Sequence, residues 1–540
     1  MSASALEPPL PAEPLLPGLT AMAAAAVDPV QPLRTDVACF VGRTRRGPVA
    51  TPVRVTDWAA YTAAFGGLDT ALDLPYAVRG FFANGGTALW VLRTEPAGTT
   101  AATAAWPAGA PSPFAPAAGC RVEAVSPGGW ADGTRVTVRH RLTGSAGHPQ
   151  VLVRVDAPGE SPESFGWLRP TELPAAVAAV SRLIRLIRLI PDGPAPTGGE
   201  PAAHAGTHTA TLGGGTPAPG SPDDTGTLAD AYADAVRAMV ELPEPALLAL
   251  PDLDRSGVGE THREELADLL IEGCADALDR LALLDPPLTG ARTSDPAAAT
   301  RRAIGWMEAL RRRHDIPGLQ ACAVHWPPLR VPDPLATALP ALRTVPASGH
   351  VAGVAARLDR ERGAFATPAN ASLEDVVDLA HVLRSDQEVA VYGSGANLLR
   401  CPPGRGPLVW GGRTAVPQSQ AQGVGDGWFI AHRRLVHRLV RAAREVAGPL
   451  LFEPDTPGLR LLLVQGLTEV LLGLFEAGAL AGDRPAEAFR VRCDEGLNPP
   501  EQAALGQVVC QVEVAPAAPM EFIAIRLLMG GRDRLEVVEG

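Results

Sequence analysis

The chain has 540 residues, 46% apolar and 20% charged, with a formal net charge of −12. That is enough chain for a large core and two or three domains, and the acidic balance argues against a nucleic-acid binder. Lysine is absent, so all 47 basic residues are Arg, which excludes a P-loop, a Schiff-base lysine and a kinase-type phosphate lysine.

Residues 1–35 are rich in Pro and Ala, lack the positive n-region of a signal peptide, and read as an extended arm. In 36–96, DVACFVG predicts an apolar strand, followed by a Gly-Pro turn and a short strand, Val53–Val55. Thr56 or Asp57 then caps a helix that runs to Phe65 and stops at Gly66-Gly67. A second helix ends at Asn84-Gly85-Gly86 and leads into a strand, Ala88–Leu92, which is α/β alternation.

From 97 to 225 the texture changes. Low-complexity stems flank a strand-rich patch (Arg121–Val125, Arg135–Arg139, Val151–Val155), which reads as an inserted β-rich domain. Within it, SRLIRLIRLI spaces Arg182, Arg185 and Arg188 three apart and fits a partly buried helix or an edge strand. In 226–350 the α/β pattern resumes, with strands expected in ALLALPDL, LALLDPP and LQACAVHWPPLRV and helices in HREELADLLIEG and RRAIGWMEALRRRH. The segment 351–506 reads as a C-terminal core with a basic helix, WFIAHRRLVHRLVRAAREVAG, and an apolar one after DTPG, where Asp455 or Thr456 is the N-cap and Pro457 occupies N1. No uninterrupted apolar run reaches 18 residues, so no membrane insertion is expected. The fold class expected is mixed α/β, multi-domain.

A search for chemistry finds no catalytic set. His204 and His208 in HAGTH have no neighbouring acid or Cys to complete a metal site. YGSGAN (Tyr392–Asn397) and GVGDGW (Gly423–Trp428) read as glycine turns, and Asp494-Glu495 as a turn-forming pair. Seven Cys at 39, 120, 274, 322, 401, 493 and 510, with no C-x-x-C, read as reduced thiols of a cytosolic protein. No enzyme activity, cofactor or metal is expected.

The tail 507–540 raises a different question. Val508, Cys510, Val512 and Val514 alternate with polar or outward positions, and a second run carries Phe522, Ile523, Ile525 and Leu527 beyond a Pro-rich hinge, Ala515–Pro519. These strands either close a hairpin in one subunit or are lent to a neighbour.

Several stretches, collinear over about 36–530, resemble the tail sheath proteins of contractile phages and phage-tail-like injection systems, the group that includes R-type pyocin sheaths. They are FVGRTRRGPVATPVRVTDWAAYTAAFGG, LPYAVRGFFANGGTALWVLR, SPGGWADGTRVTV, LLDPP, GHVAGVAARLDRERGAFATPAN, ANLLRCPPGRGPLVWGGRT, FEPDTPGL and the block from Phe489 to Leu527. The resemblance implies an α/β core built from N- and C-terminal segments, an outer inserted domain and extended terminal arms. It implies a cytoplasmically assembled helical polymer of this chain around an inner tube protein, with baseplate and tail-terminator or cap proteins as further partners and no nucleic acid. It also implies that terminal strands complete a sheet in a neighbouring subunit.

The front departs from the family pattern: where a PGVYVEE-like strand is usual, this chain has LLPGL. A non-contracting paralogue acting as cap or baseplate adaptor, and an unrecognised hydrolase, are the rival readings. For the tube-facing element the basic helix is favoured, through Arg434, Arg438, Arg441 and Arg444, on the expectation that its charge is exposed and that the apolar helix is core.

Overall fold

The computed structural model of the chain describes residues 34–106, 120–143, 148–169, 172–188, 206–215, 224–288, 295–417, 425–451, 453–501, 507–517, 523–529 and 535–539. The first strand, Ala38–Gly42, is buried at all five positions. It pairs in parallel with Leu247–Ala249 on one side and Leu89–Arg93 on the other. Burial on both faces is what an all-apolar strand requires, and it places this segment in the interior of a sheet.

That sheet has nine strands, in the order Ala371–Ser372, Leu408–Val409, Asn397–Arg400, Cys322–Trp326, Leu281–Leu284, Leu247–Ala249, Ala38–Gly42, Leu89–Arg93, Val53–Val55. Segments more than 300 residues apart in sequence therefore share one sheet. Alternation along its strands divides two cores. Cys39, Val41, Leu248, Ala282 and Leu284 face one cluster with Tyr232, Val236, Leu266 and Leu270. Ala38, Phe40, Leu247, Ala249, Leu281 and Leu283 face the other, with Tyr61, Phe65, Val78 and Phe81. Helices cover both faces, as parallel strands demand.

Local signals explain the element ends. Asp57 caps helix Trp58–Phe65, its Oδ1 accepting from Ala60 N at 2.7 Å, and Gly66 ends it at φ +85°. Helix Leu74–Ala83 packs against helix Ser348–Arg362 at a distance that only glycine permits. A Cβ on Gly349 would lie 2.6 Å from Ala77, and one on Gly353 would lie 2.4 Å from Phe81 O.

The inserted region forms two antiparallel sheets. One runs in the order Gly206–Thr211, Arg135–Thr143, His148–Asp156, Glu163–Leu168; the other in the order Thr103–Trp106, Cys120–Ala124, Ile184–Arg188. Between them lies a separate core of Val122, Val136, Val138, Val153, Val155, Phe165 and Val177. Of the two readings of SRLIRLIRLI, the structure holds the strand: Ile184–Arg188 pairs with Cys120–Ala124. The insert is tied to the main sheet through Arg93, 1% exposed, which donates to Gly47 O at 2.6 Å, Glu95 at 2.8 Å and Pro127 O at 3.0 Å.

The C-terminal unit is a four-stranded antiparallel sheet, Phe489–Arg492, Val508–Val514, Ile523–Met529 and Leu535–Glu539 in that order. It packs on the basic helix, Ile430–Ala447, and the apolar helix, Pro457–Glu476.

Candidate assembly surfaces

In an open parallel sheet, ligands bind beyond the C-terminal strand ends where the connections reverse direction. Here that point lies between Ala38–Gly42, whose chain continues towards Leu89–Arg93, and Leu247–Ala249, whose chain continues towards Leu281–Leu284. It is filled by the protein's own Asp252, fully buried. The Asp252 carboxylate accepts from Arg43 N at 3.2 Å and from Asp73 N at 2.6 Å, and reaches Leu74 N at 3.4 Å. The Asp73 and Leu74 donors lie at the start of helix Leu74–Ala83, where an anionic ligand would otherwise sit. Burial raises the Asp252 pKa to about 7. Neighbouring Asp73 is held by Arg255 at 3.0 Å and Arg343 at 2.7 Å. No signal in the sequence singled out Asp252, because its partners are backbone groups about 180–210 residues away.

The other sequence candidates are structural where they are described. Asn397, at the end of YGSGAN, is buried and bridges Val324 O at 3.1 Å, Arg413 O at 2.7 Å and Arg413 N at 2.7 Å. Trp428 of GVGDGW lies in a short 3₁₀ turn, Gly425–Trp428. Asp494 pairs with Arg492 at 2.9 Å and accepts from Leu497 N at 3.1 Å, closing a turn. His204 lies outside the described residues, and His208 sits on strand Gly206–Thr211 opposite Val138. Among the described residues no group of three or more His, Cys, Asp or Glu is placed to hold a metal.

The basic helix corrects the expectation of an exposed charged face. Arg433, Arg434 and Arg441 are 2%, 2% and 3% exposed, and His432 and His437 are buried with them; Arg438 and Arg444 are half-buried. Arg441 donates to Arg34 O at 2.6 Å, Glu244 O at 2.8 Å, Pro245 O at 2.6 Å and Asp279 O at 3.3 Å. Three of the main strands begin just after these carbonyls, at Ala38, Leu247 and Leu281. Loop carbonyls there have no ladder partner, so a buried guanidinium with five donors satisfies them.

Arg434 donates to Thr35 O at 3.0 Å and Asp359 Oδ2 at 2.6 Å. Arg444 donates to Asp279 Oδ2 and Ala277 O, both at 2.8 Å. Burial lowers the Arg441 pKa to about 10, so it remains charged at neutral pH. The opposite side of the same helix (Leu435, Val436, Leu439, Val440, Ala443) enters the C-terminal core. The helix is therefore a rivet between two cores.

The apolar helix is the reverse. Only Leu459, Leu463, Leu467 and Leu471 are buried, one narrow stripe at a spacing of four, while Leu461, Leu462 and Leu472 are 56%, 53% and 36% exposed. At 20 residues and a mean hydropathy of 1.6, it is long and apolar enough to cross a membrane, although Arg460 and Glu469 interrupt it and one stripe is committed to protein. The sequence signal for this was the stripe itself, which leaves Leu461 and Leu462 off its line.

In the tail, Val508 pairs with Met529, Cys510 with Leu527, Val512 with Ile525 and Val514 with Ile523, all within one chain. This is the hairpin arrangement of the two the sequence allowed. Phe522 lies outside the described residues.

The topology, with a doubly covered sheet assembled from distant segments, a β insert and a C-terminal strand unit, defines a class: the fold of contractile-sheath subunits. It is shared over 94% of this chain and 97% of the helical sheath of the anti-feeding prophage in its contracted state, at a TM-score of 0.53 and 20% identity. The sheath tail protein of Desulfitobacterium hafniense matches over 93% of this chain and 98% of its own, at a TM-score of 0.59 and 13% identity. That of Listeria innocua matches over 91% and 94%, at 0.59 and 11%.

Residues 228–415 match the phage tail sheath protein central domain. The tail sheath protein of Vibrio phage KVP40 is 28% identical over 194 residues, 35% of this chain and 27% of that protein, so the match spans about a quarter of the relative's length. The chain thus combines a segment similar to the phage tail sheath central domain with the fold of sheath subunits.

Proposed function

We propose that this chain is the structural subunit of a contractile sheath, which polymerises helically around an inner tube and shortens to drive that tube through a target envelope. The observation that carries the reading is the correspondence of fold with a sheath subunit over 94% of this chain and 97% of the other. The switch point of the main sheet is occupied from within by Asp252. Energy for contraction is stored in the lattice: an extended array trapped behind a barrier gains inter-subunit contacts as it shortens.

Linkage between copies is assigned to the tail. The strand Val508–Val514 lies between Phe489–Arg492 and Ile523–Met529, and it reaches the latter through a connection containing Pro516 and Pro519. Main-chain hydrogen bonds to Ile523–Met529 are the same whether that strand comes from the same subunit or another, so the hairpin of the isolated chain can be exchanged for strand addition in trans. Donor and acceptor surfaces differ, so the contact propagates instead of closing.

The tube is assigned to the apolar helix, through Leu461, Leu462 and Leu472, in place of the basic helix whose arginines are committed inside the subunit. The β insert, with its own core, faces outward. Assembly occurs in the cytoplasm, with baseplate and terminator proteins at the two ends.

Negative-stain electron microscopy of the purified full-length protein tests this. Long hollow cylinders are expected, and deletion of everything after Pro516 should abolish them. Discs or single rings would favour the cap or baseplate-adaptor reading; a monomer at high concentration would overturn self-assembly.

A further inference from the structure

The C-terminal sheet holds a chemical feature for which the assembly reading has no use. Phe489–Arg492 runs antiparallel to Val508–Val514 with Arg492 opposite Gln511. One step further in that register, Cys493 stands opposite Cys510. Both side chains turn into the same apolar core, at 9% and 1% exposure. Directly opposed residues on antiparallel strands have Cα atoms about 4.5–5.5 Å apart, inside the span of about 4.4–6.8 Å that a disulfide bridges.

The surroundings fix the pair and make the two thiols unequal. Asn498, 3% exposed, donates to Cys493 Sγ at 3.9 Å and to Val509 O at 2.9 Å, and accepts from Val509 N at 2.5 Å. One amide thus pins both sides of the cysteine pair. Pairing with the Cys510 thiol, aided by the Arg460 charge and Asn498, outweighs burial and holds the Cys493 thiol below the usual thiol range. The same pairing, with burial, keeps Cys510 protonated. Cys493 is also the more accessible of the two, so it is the attacking thiol.

We propose that Cys493 and Cys510 are a site of oxidative modification, forming a cross-strand disulfide by exchange with a low-molecular-weight disulfide. The Cys493 thiolate attacks one sulfur of R–S–S–R, giving the mixed disulfide Cys493–S–S–R and releasing RS⁻. Cys510 then gives its proton to that RS⁻, and its sulfur attacks the Cys493 sulfur, expelling the second RS⁻, which takes a proton from water. Two protein thiols lose two electrons and one small disulfide becomes two small thiols.

The bond closes the loop between the two cysteines and joins Phe489–Arg492 covalently to Val508–Val514. It leaves the opposite edge of Val508–Val514, which carries Ile523–Met529, joined by hydrogen bonds alone. Oxidation therefore hardens the sheet's anchored side without blocking strand exchange on the other.

The test uses the full-length chain carrying Cys401→Ser, which removes the one thiol exposed among the described residues. The protein is treated with oxidised glutathione, alkylated, cut after Glu495 and Glu501 in the loop, and mapped by mass spectrometry. The expected result is one peptide pair containing Cys493 and Cys510 that stays joined until reduced. Those two thiols should be lost at least roughly tenfold faster than buried Cys39, Cys274 and Cys322. Adding Cys510→Ser should leave one glutathione on Cys493, and adding Cys493→Ser should leave Cys510 unmodified. Both cysteines alkylated in separate peptides, or glutathione retained on Cys510 in the Cys493→Ser protein, would overturn the proposal.

Discussion

The basic helix Ile430–Ala447 and the apolar helix Pro457–Glu476 pack against each other with their chemistry reversed. The first carries five arginines and buries three of them almost completely; the second is nearly all apolar and leaves Leu461 and Leu462 more than half exposed. Transfer energies would place them the other way round. What reverses the order is the supply of partners. Unpaired carbonyls at the starts of three strands and the Asp279 and Asp359 carboxylates give the guanidiniums full hydrogen bonding inside. The leucines off the buried stripe are left uncovered by the described residues, and an exposed apolar face of that kind marks an interaction surface.

Four experiments break or sharpen this contrast. Arg441→Glu should have the largest effect: it places a carboxylate among four carbonyls and beside Asp279, and should destabilise by at least about 4 kcal/mol, the scale of a broken buried ion pair. Insoluble protein or a collapsed melting transition is the expected outcome. Arg438→Glu, on the half-buried side of the same helix, should cost under about 1 kcal/mol. Equal damage from both would mean that burial is not what matters. Arg434→Ala comes next, at about 3 kcal/mol by denaturant unfolding, through loss of the Asp359 and Thr35 contacts.

His437 provides a pH test of the same buried face. It accepts from Arg433 Nε at 3.1 Å, and burial, reinforced by Arg433, Arg441 and Arg434, holds its pKa well below the ordinary value. The folded state thus prefers the neutral ring. Stability from this group is full above about pH 6.5, the unfolded value, and is lost as pH falls from there toward the depressed folded value. Denaturation midpoints across pH 7 to 4 should show this slope, and His437→Gln, which keeps an acceptor but does not titrate, should flatten it.

The smallest effect on folding belongs to the apolar helix. Leu461→Glu with Leu462→Glu should change stability by no more than about 0.5 kcal/mol each, yet abolish co-sedimentation with the inner tube. A large loss of stability would show that these side chains are core after all.

Much of the architecture was legible in the chain because its signals are local. Asp57 and Gly66 bound the first helix, Thr456 and Pro457 start the apolar one, and the apolar ACFVG foretold a strand. The order of blocks sufficed to suggest a sheath subunit. The rest was not legible, since it depends on what lies opposite. Nothing in HRRLVHRLVRAAR says that Thr35, Glu244 and Asp279 will meet it, and nothing in PDLD marks Asp252 as the plug of the crevice.

Composition, turn chemistry and hydrophobic period thus determined which segments are helix or strand, since those choices rest on each residue and its near neighbours. Only the tertiary structure decided which charges go inside and which leucines stay out. Burying a polar group is tolerable or ruinous according to the partners that distant segments bring.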